Sequence, residues 1–329
     1  MKMSAPMTTP LPENASRPRT TAGPGWPLGL FSGICGVILM AAQPGIWIGM
    51  DNMIGDVIVA LVIGGLIWLN FRLLHNLPFR VQTTIIWAEL LLGFALFFYS
   101  FDLSFDFIGS RLPFLLGLRL EGEFLQGAVL TLFISLVSIF CATVLALAAA
   151  LGRLSKNGVF YGISTFYTSF FRGTPLLLQV MLIYLGLPQV GIVLSAVPAG
   201  IIALSLCYGA YMAEIFRAGI EGVPEGQTEA ALSLGLKPYQ VMRLVILPQA
   251  LRLVIPPTGN QFISMLKDSS LVSVMGVWEL MYLARTHGRS EFKYMEMLIS
   301  AALIYWALSG IFEFIQSRIE KKLGKGVRV

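Results

Sequence analysis

The sequence predicts an all-α protein that crosses a membrane several times. Hydrophobic residues make up 56% of its 329 residues and charged residues only 12%, about half the charged fraction of an ordinary soluble domain. The mean hydropathy is +0.76. The apolar residues are gathered in stretches of about 20, which is the length that a helix needs to cross a hydrocarbon core of ~30 Å. The net charge of +5 is small and dispersed, so composition does not indicate a nucleic-acid partner.

The N-terminal region has the weakest membrane signal. Residues 1–27 are rich in proline and lack apolar periodicity, which predicts a disordered cytoplasmic tail. Residues 28–50 are apolar but are interrupted by a Gln-Pro-Gly sequence at positions 43–45. We interpret them as an uncleaved membrane helix; the alternative is a signal peptide cleaved after Ala42.

Seven further apolar stretches complete a prediction of about eight transmembrane helices. They are residues 54–71, 83–99, 125–151, 160–187, 193–216, 251–277 and 295–315. Three spans precede a loop of mixed charge that ends at residue 123, and five follow it. Residues 321–329 form a basic tail.

The basic residues predict the orientation of these spans. If the N-terminus is cytoplasmic, alternation places five segments on the cytoplasmic side: residues 1–27, 72–82, 152–159, 217–250 and 316–329. These segments hold most of the lysine and arginine residues, whereas the loops near 51, 188–192 and 278–294 are neutral, acidic or mixed. The positive-inside rule therefore predicts a multi-pass protein with both termini in the cytoplasm.

Cysteine and histidine are too sparse to suggest metal or redox chemistry. Cys35, Cys141 and Cys207 lie inside apolar stretches and are expected to be small buried side chains. His75 and His287 are expected to be isolated surface residues in loops.

A polar stretch at residues 225–257 contains a first short predicted helix. Thr228 is a candidate N-cap, and Glu229 would then lie in the first turn, where the helix dipole favours an anion. Gly235 is a natural end for this helix, because glycine readily adopts the left-handed conformation of a C-terminal cap.

A second short helix is predicted to follow at once. Pro238 suits the first position of a helix. Val241, Leu244 and Val245 then share one face. Pro248 is expected to end the helix, so the stretch predicts a helix–turn–helix elbow that lies along the membrane surface.

This elbow carries a recognisable motif, Glu229-Ala230-Ala231, Gly235, Val245 and Leu247-Pro248. It resembles the EAA motif of the permease subunits of ABC importers, with Val245 in place of the usual isoleucine. In that family the motif forms a cytoplasmic coupling loop that docks on a separate ATPase. The flanking motifs resemble permeases of polar amino-acid importers (the histidine, glutamine and glutamate permeases). They are Arg172-Gly173-Thr174-Pro175 with Gln179, residues 213–220, and Lys267-Asp268-Ser269-Ser270-Leu271.

The resemblance implies a type I ABC-importer permease core of five helices over residues 124–320, with its coupling loop at 222–250. Residues 28–123 would then hold three extra transmembrane helices and an external loop, for which no motif matches. The residues implied to contact the ATPase are Glu225, Gly226, Glu229, Ala230, Ala231, Gly235, Lys237, Pro238, Leu247 and Pro248.

The resemblance also implies partners in a bacterial inner membrane. They are two copies of an ABC ATPase that hold ATP and Mg, a second permease subunit that is homologous or identical, and an extracytoplasmic amino-acid-binding protein. The chain has no G-x-x-x-x-G-K-[ST] loop, so we expect a transport subunit embedded in the lipid bilayer, without a cofactor or ATPase site of its own. The function implied is uptake of polar amino acids by alternating access.

Polar residues within the predicted spans are candidates for the substrate path or a gate. They are Arg172, Thr174, Gln179, Glu214, Asn260, Ser264, Lys267 and Asp268.

Each candidate also has a structural interpretation. The polar residues after position 251 share one helix face and either line the path or, for Lys267 and Asp268, pair with other helices or snorkel to the membrane interface. Arg172 is either available to a substrate carboxylate or an anchor at the membrane surface. Glu214 forms either a static salt bridge with Arg172 or Arg217, or a contact that breaks during each transport cycle.

Two other classes of function fit the sequence poorly. A secondary transporter commonly has an inverted repeat with paired broken helices, and no repeat is visible between the halves. An intramembrane enzyme needs a nucleophile–base pair or a metal cluster, which two loop histidines and three isolated cysteines do not provide.

Overall fold

The computed structural model describes residues 53–99, 103–119 and 125–323, and the regular structure in these ranges is helical apart from one bridge between Gly127 and Glu279. The predicted tail and first span, residues 1–50, lie outside the described residues, as do residues 324–329 of the basic tail. The chain divides into two compact units, Met1–Asp102 and Leu103–Val329.

The described part of the first unit is a pair of helices, α1 (Met53–Leu74) and α2 (Phe79–Tyr99). They contain the predicted spans 54–71 and 83–99. Leucine and phenylalanine side chains are exposed on both helices, and Trp87 is exposed on α2, as expected where the surrounding medium is apolar. One polar contact joins the helices, since Asn70 Nδ2 donates to Glu89 Oε2 at 2.6 Å. His75 is exposed in the turn between them, as predicted.

The second unit begins with a helix that the sequence analysis did not predict, α3 (Phe105–Leu116). It lies in the stretch predicted only as a charged loop. Its apolar face packs into a cluster with later parts of the chain, where Leu115, Leu280 and Met297 are fully buried. This face is not evident from the sequence, because its apolar partners lie more than 150 residues further along the chain.

The rest of the second unit contains the five predicted core spans and the elbow. The helices, in order, are α4 (Gly127–Arg153), α5 (Gly158–Gly173), α6 (Leu176–Met181), α7 (Ala196–Glu221), α8 (Glu225–Ser233), α9 (Pro238–Val241), α10 (Leu247–Asp268), α11 (Leu280–Ser290) and α12 (Tyr294–Leu323). Among the described residues, four helical segments are long and apolar enough to cross a membrane, and α5 with α6 makes a fifth if the pair is one span. Four of the five predicted core spans are thus supported, and the fifth is supported if α5 and α6 form one span.

Small residues let the two central helices pack closely. Ala142 and Ala146 of α4 are fully buried, as are Ala203 and Ala210 of α7. Close approach of backbones through small side chains is typical of helix pairs within membranes. On the same face, a Cβ at Gly209 would lie 2.5 Å from Tyr167 Oη, so a larger residue there would displace this ring.

Specific contacts set the direction of each span. Ser205 lies against Ser138, and Glu214 contacts Arg153 further along both helices, so α4 and α7 run in the same direction. Helix α10 continues without a break to Met275, and along this segment Val254 lies at Gly219 whereas Val272 lies at Gly200, so α10 runs the opposite way. We call the end of the bundle that contains Arg153, Glu214 and α8 the elbow end, and the other, where Gly127 N donates to Trp278 O at 2.8 Å, the opposite end.

Cysteine and histidine placements confirm part of the prediction. Cys207 is buried in α7 and Cys141 partly buried in α4, both as free thiols; Cys35 lies outside the described residues. The prediction for His287 was wrong. It is buried on α11, with its ring 5.8 Å from that of Phe114, because α3 covers this side of the molecule.

Candidate coupling elbow and charged layer

The first helix of the elbow, α8, begins earlier than predicted. Its N-cap is Pro224, and Glu225 supplies the anion in the first turn. Thr228 therefore lies inside the helix, and the prediction that it is the N-cap was wrong. Proline with φ of −55° already has a helical φ angle, so the chain enters the helix directly after the preceding span.

The end of α8 is as predicted. Gly235 has a φ of +80°, its N–H donates to Leu232 O at 2.9 Å, and Leu236 N donates to Ala231 O at 3.2 Å. These bonds satisfy carbonyl groups that the end of a helix leaves free. Pro238 then restarts the helix at its first position, and Lys237 N donates to Gln240 Oε1 at 2.8 Å.

The second helix of the elbow does not end at Pro248, contrary to the prediction. Helix α9, a π-helical turn at Met242–Ile246 and α10 follow one another without a break, so the helical segment runs over Pro238–Met275. The wider π turn accommodates the missing N–H of Pro248 and shifts the register by one residue. The elbow is thus the beginning of a membrane span.

A small apolar core holds the two elbow helices together. It consists of the buried residues Val223, Ala231, Val241, Ile246 and Ala250. Leu244, predicted on the same face as Val241, is 61% exposed because the π turn places Ile246 there instead.

The outer surface of the elbow is exposed in the described part of the chain. Gly226, Glu229, Ala230 and Leu234 are exposed, in contrast to the buried neighbour Ala231. The other implied ATPase-contact residues, apart from Ala231, are likewise exposed: Glu225, Gly235, Lys237, Pro238, Leu247 and Pro248. The elbow therefore presents a surface of small residues around Glu229.

A layer of charges lies at the elbow end of the bundle, centred on Glu214. Its carboxylate is hydrogen-bonded to Arg153 and lies 3.1 Å from Arg172 and 3.0 Å from Arg217. The three arginines come from α4, α5 and α7. Both predicted partners are confirmed, whereas Arg153 was missed, because the end of α4 carries no local signal that it meets α7.

The charged layer is incompletely neutralised by its own carboxylates. Arg217 also contacts Glu221 at 2.5 Å, so three guanidinium groups share two carboxylates. Arg172 lies over the ring of Tyr211 at 5.7 Å, a cation–π contact that orients its side chain. Glu214 is therefore the group that holds three helix ends together.

The predicted kink at Thr174-Pro175 is a break in the helix. Helices α5 and α6 meet at 106°. Pro175 has no N–H, so Phe171 O lacks its helical donor, and Gln179 Nε2 donates to it at 2.9 Å and to Thr174 Oγ1 at 2.8 Å. Gln179 is buried and braces the break; its place in the substrate path stays a prediction.

The polar face of α10 is only partly engaged by other helices. Tyr208 Oη of α7 donates to Asp268 Oδ2 at 2.7 Å, which is the partner on another helix that we predicted as one alternative. Asn260 accepts a hydrogen bond from Gln316 Nε2 at 2.9 Å. Ser264 is half-buried and Lys267 is exposed, without an ion pair among the described residues. Their role in the substrate path stays a prediction.

A buried carboxylate that the sequence analysis missed lies at the opposite end. Glu279 caps α11 and accepts hydrogen bonds from the backbone N–H groups of Met281 and Tyr282, at 2.9 and 2.7 Å. Tyr305 Oη donates to it at 2.8 Å. Glutamate is not a favoured N-cap, so no local signal marked this residue. Desolvation outweighs these donors and raises the pKa of Glu279 from 4.5 to about 7.

We expect this carboxylate to make stability fall as pH rises. With the folded pKa above the unfolded one, stability is full below about pH 4.5 and is lost as pH rises to about 7, at a cost of roughly 3 kcal/mol. Thermal unfolding of the purified wild type should therefore shift to lower temperature between acidic and mildly alkaline buffer. Glu279→Gln should show a much smaller shift. An equal shift in both proteins would show that other groups cause the dependence.

The sequence and fold match known proteins. Residues 142–325 match the family described as binding-protein-dependent transport system inner membrane component. The probable amino-acid ABC transporter permease protein YckA of Bacillus subtilis is 44% identical to this chain. The match covers 60% of this chain and 88% of the length of YckA. The arginine transport system permease protein ArtQ of the same species is 39% identical to this chain. The match covers 68% of this chain and 98% of the length of ArtQ.

Solved structures agree with this result. The structure described as an amino acid ABC transporter with histidines matches 58% of this chain and 90% of its own, at 39% identity and a TM-score of 0.56. The MetNI methionine ABC transporter, at 21% identity and a TM-score of 0.52, shows the same fold. Together with the elbow and its motif, these matches identify the chain as a member of the binding-protein-dependent transport system inner membrane component family, the permeases of ABC transporters.

Proposed function

We propose that this chain is the transmembrane subunit of an ATP-driven importer that moves polar amino acids across a bacterial inner membrane by alternating access. The observation that supports this most directly is the continuous helical segment Pro238–Met275. It begins in the exposed elbow and continues through the bundle, so a displacement of the elbow is transmitted to a span without an intervening flexible joint.

In this proposal the elbow docks on a separate ATPase subunit, two copies of which bind ATP and Mg. The small residues Gly226 and Ala230 allow close approach, and Glu229 supplies a charge at the centre of the contact. The elbow end then faces the cytoplasm, with both termini on that side, in agreement with the distribution of basic residues. A second permease subunit, homologous or identical, completes the translocation path.

The charged layer around Glu214 serves as the cytoplasmic gate in this scheme. It joins α4, α5 and α7 next to the elbow, so separation of these helix ends requires the contacts of Glu214 with Arg153 and Arg172 to break. Polar amino acid as the substrate class rests on the relatives, which include an arginine permease. An extracytoplasmic binding protein delivers the substrate to the opposite end.

Copurification of the ATPase tests the docking step. The wild type and Glu229→Lys are expressed with their ATPase, solubilised in detergent and isolated through a tag on the permease. We expect the ATPase to copurify with the wild type and to be reduced at least tenfold with Glu229→Lys, because a reversed charge is placed in the contact.

Glu291→Lys is the matched control. Glu291 is exposed at the opposite end, so this variant carries the same charge change away from the elbow. Full recovery of the ATPase with Glu229→Lys, or equal loss with Glu291→Lys, would remove the elbow from the ATPase interface and with it the proposed coupling.

A further inference from the structure

A polar pocket of about 470 Å³ lies at the opposite end of the bundle, away from the elbow and the charged layer. It is formed by the end of the 3-10 helix Ser269–Met275 that follows α10, by the exposed side of α11 and by the start of α12. Its polar lining side chains are Ser273, Tyr282, Arg285, Thr286, Arg289 and Tyr294.

The positive charge of this pocket is not compensated within the described chain. Arg285 and Arg289 are exposed, lie one turn apart on α11, and form no ion pair with any described residue. Like charges at this spacing on a helix repel each other, so their arrangement costs stability rather than adding to it.

Residues 276–296, which form most of the pocket wall, include three carboxylates, and all three have other partners. Glu279 is buried under the donors described above. Glu291 contacts Arg111 at 3.7 Å, and Glu296 contacts Lys293 at 3.4 Å. A second copy of this chain would therefore bring no unpaired carboxylate from residues 276–296 to the pocket.

The helix that carries the arginines does not have a face available to lipid. A helix that lies in a membrane interface needs a free apolar face to insert. On α11 the apolar residues Leu280, Leu283 and Ala284 are buried against α3 and α12. Only the polar side of α11 is exposed, which is the arrangement expected where a soluble partner approaches.

We infer that this pocket receives acidic side chains of the extracytoplasmic binding protein when it docks on the permease. The inference rests on the proposed function, in which such a protein delivers the substrate at this end. Two exposed guanidinium groups provide orientation and faster encounter for a carboxylate-bearing surface, and hydroxyl groups from α11 and α12 accept or donate further hydrogen bonds.

The test uses the complete permease–ATPase complex in lipid nanodiscs. ATP hydrolysis is measured while the substrate-loaded binding protein of this system is titrated, at ionic strengths of about 0.05 and 0.3 M, across which charge screening changes strongly. We expect Arg285→Gln/Arg289→Gln to raise the half-stimulating concentration at least tenfold at the lower ionic strength. Its salt dependence should be weaker than that of the wild type, and its basal hydrolysis and maximal stimulated rate unchanged.

Arg318→Gln is the matched control, since Arg318 is exposed near the other end of α12. It should leave the titration unchanged. A charge exchange gives a positive check: Arg285→Glu/Arg289→Glu should regain stimulation with a binding protein whose docking carboxylates are replaced by lysine.

Three results would overturn the inference. If the titration curve of the double variant equals that of the wild type, the pocket is not the docking site, although the proposed importer function still stands. A lower maximal rate at an unchanged half-stimulating concentration would assign the arginines to the substrate carboxylate. A difference that vanishes in nanodiscs of purely zwitterionic lipid would assign them to lipid headgroups. If the binding protein does not stimulate the wild type at all, the proposed function fails together with the inference.

Discussion

Uptake by a Gly235→Val variant is expected to fall at least tenfold, although the protein remains in the membrane. Gly235 has a φ of +80°, and apart from its chain neighbours no heavy atom of the described residues lies within 4 Å of the position that a Cβ would take. Backbone conformation is therefore the only cause of the effect. A β-branched residue disfavours this region strongly, at a cost of about 2 kcal/mol, so the turn between α8 and α9 changes and the motif surface is displaced.

Gly235→Asn is the matched control, because asparagine adopts the left-handed region more readily than other residues with a side chain. It should keep most of the uptake. The measurement compares uptake of a radiolabelled substrate and copurified ATPase for both variants at equal membrane levels. Equal uptake by Gly235→Val and the wild type would show that the conformation of this turn is not needed for coupling.

A Glu214→Gln variant is expected to be destabilised by about 2 kcal/mol. Three guanidinium groups from three helices would then face one another across a neutral amide, and breaking such ion pairs costs ~3–5 kcal/mol when they are fully buried. The side chain of Glu214 is 19% exposed, so solvent screening reduces the effect. Thermal unfolding of the purified permease–ATPase complex measures it, and uptake should fall as well because the proposed gate no longer closes.

Glu221→Gln provides the comparison. Glu221 is 51% exposed and its ion-pair partner among the described residues is Arg217, so its replacement should cost less than about 0.5 kcal/mol. The double variant Glu214→Gln/Arg172→Gln should recover part of the lost stability, since it removes one of the repelling charges. Equal unfolding temperatures for Glu214→Gln and Glu221→Gln would show that Glu214 is not the centre of the charged layer.

Much of the architecture was predictable because it depends on local sequence. The five core spans are apolar over about 20 residues, and this property does not depend on their neighbours. The end of α8 at Gly235 and the restart at Pro238 follow from the backbone preferences of glycine and proline. The free carbonyl of Phe171 follows in the same way from Pro175 four residues later.

Elements that depend on distant partners were not predictable in this way. Helix α3 carries Asp106 and Arg111 among its apolar residues, and its apolar face is evident only once Leu280 and Met297 are brought against Leu115. Burial of His287 and Glu279 follows from the same packing. The passage of the helix through Pro248 required a π turn, whose cost the packing of Ile246 and Ala250 in the elbow core offsets.

The sequence by itself determined the class of protein, the core spans, and the elbow motif that relates the chain to ABC permeases. Only the tertiary structure decided that three arginines share Glu214, that Tyr208 holds Asp268, and that Arg285 and Arg289 have no carboxylate partner among the residues that the structure describes. The physical reason is that helix propensity and hydropathy act over neighbouring residues. Ion pairing and burial depend on which helix ends meet in space, and parallel helices such as α4 and α7 bring together positions about 60 residues apart.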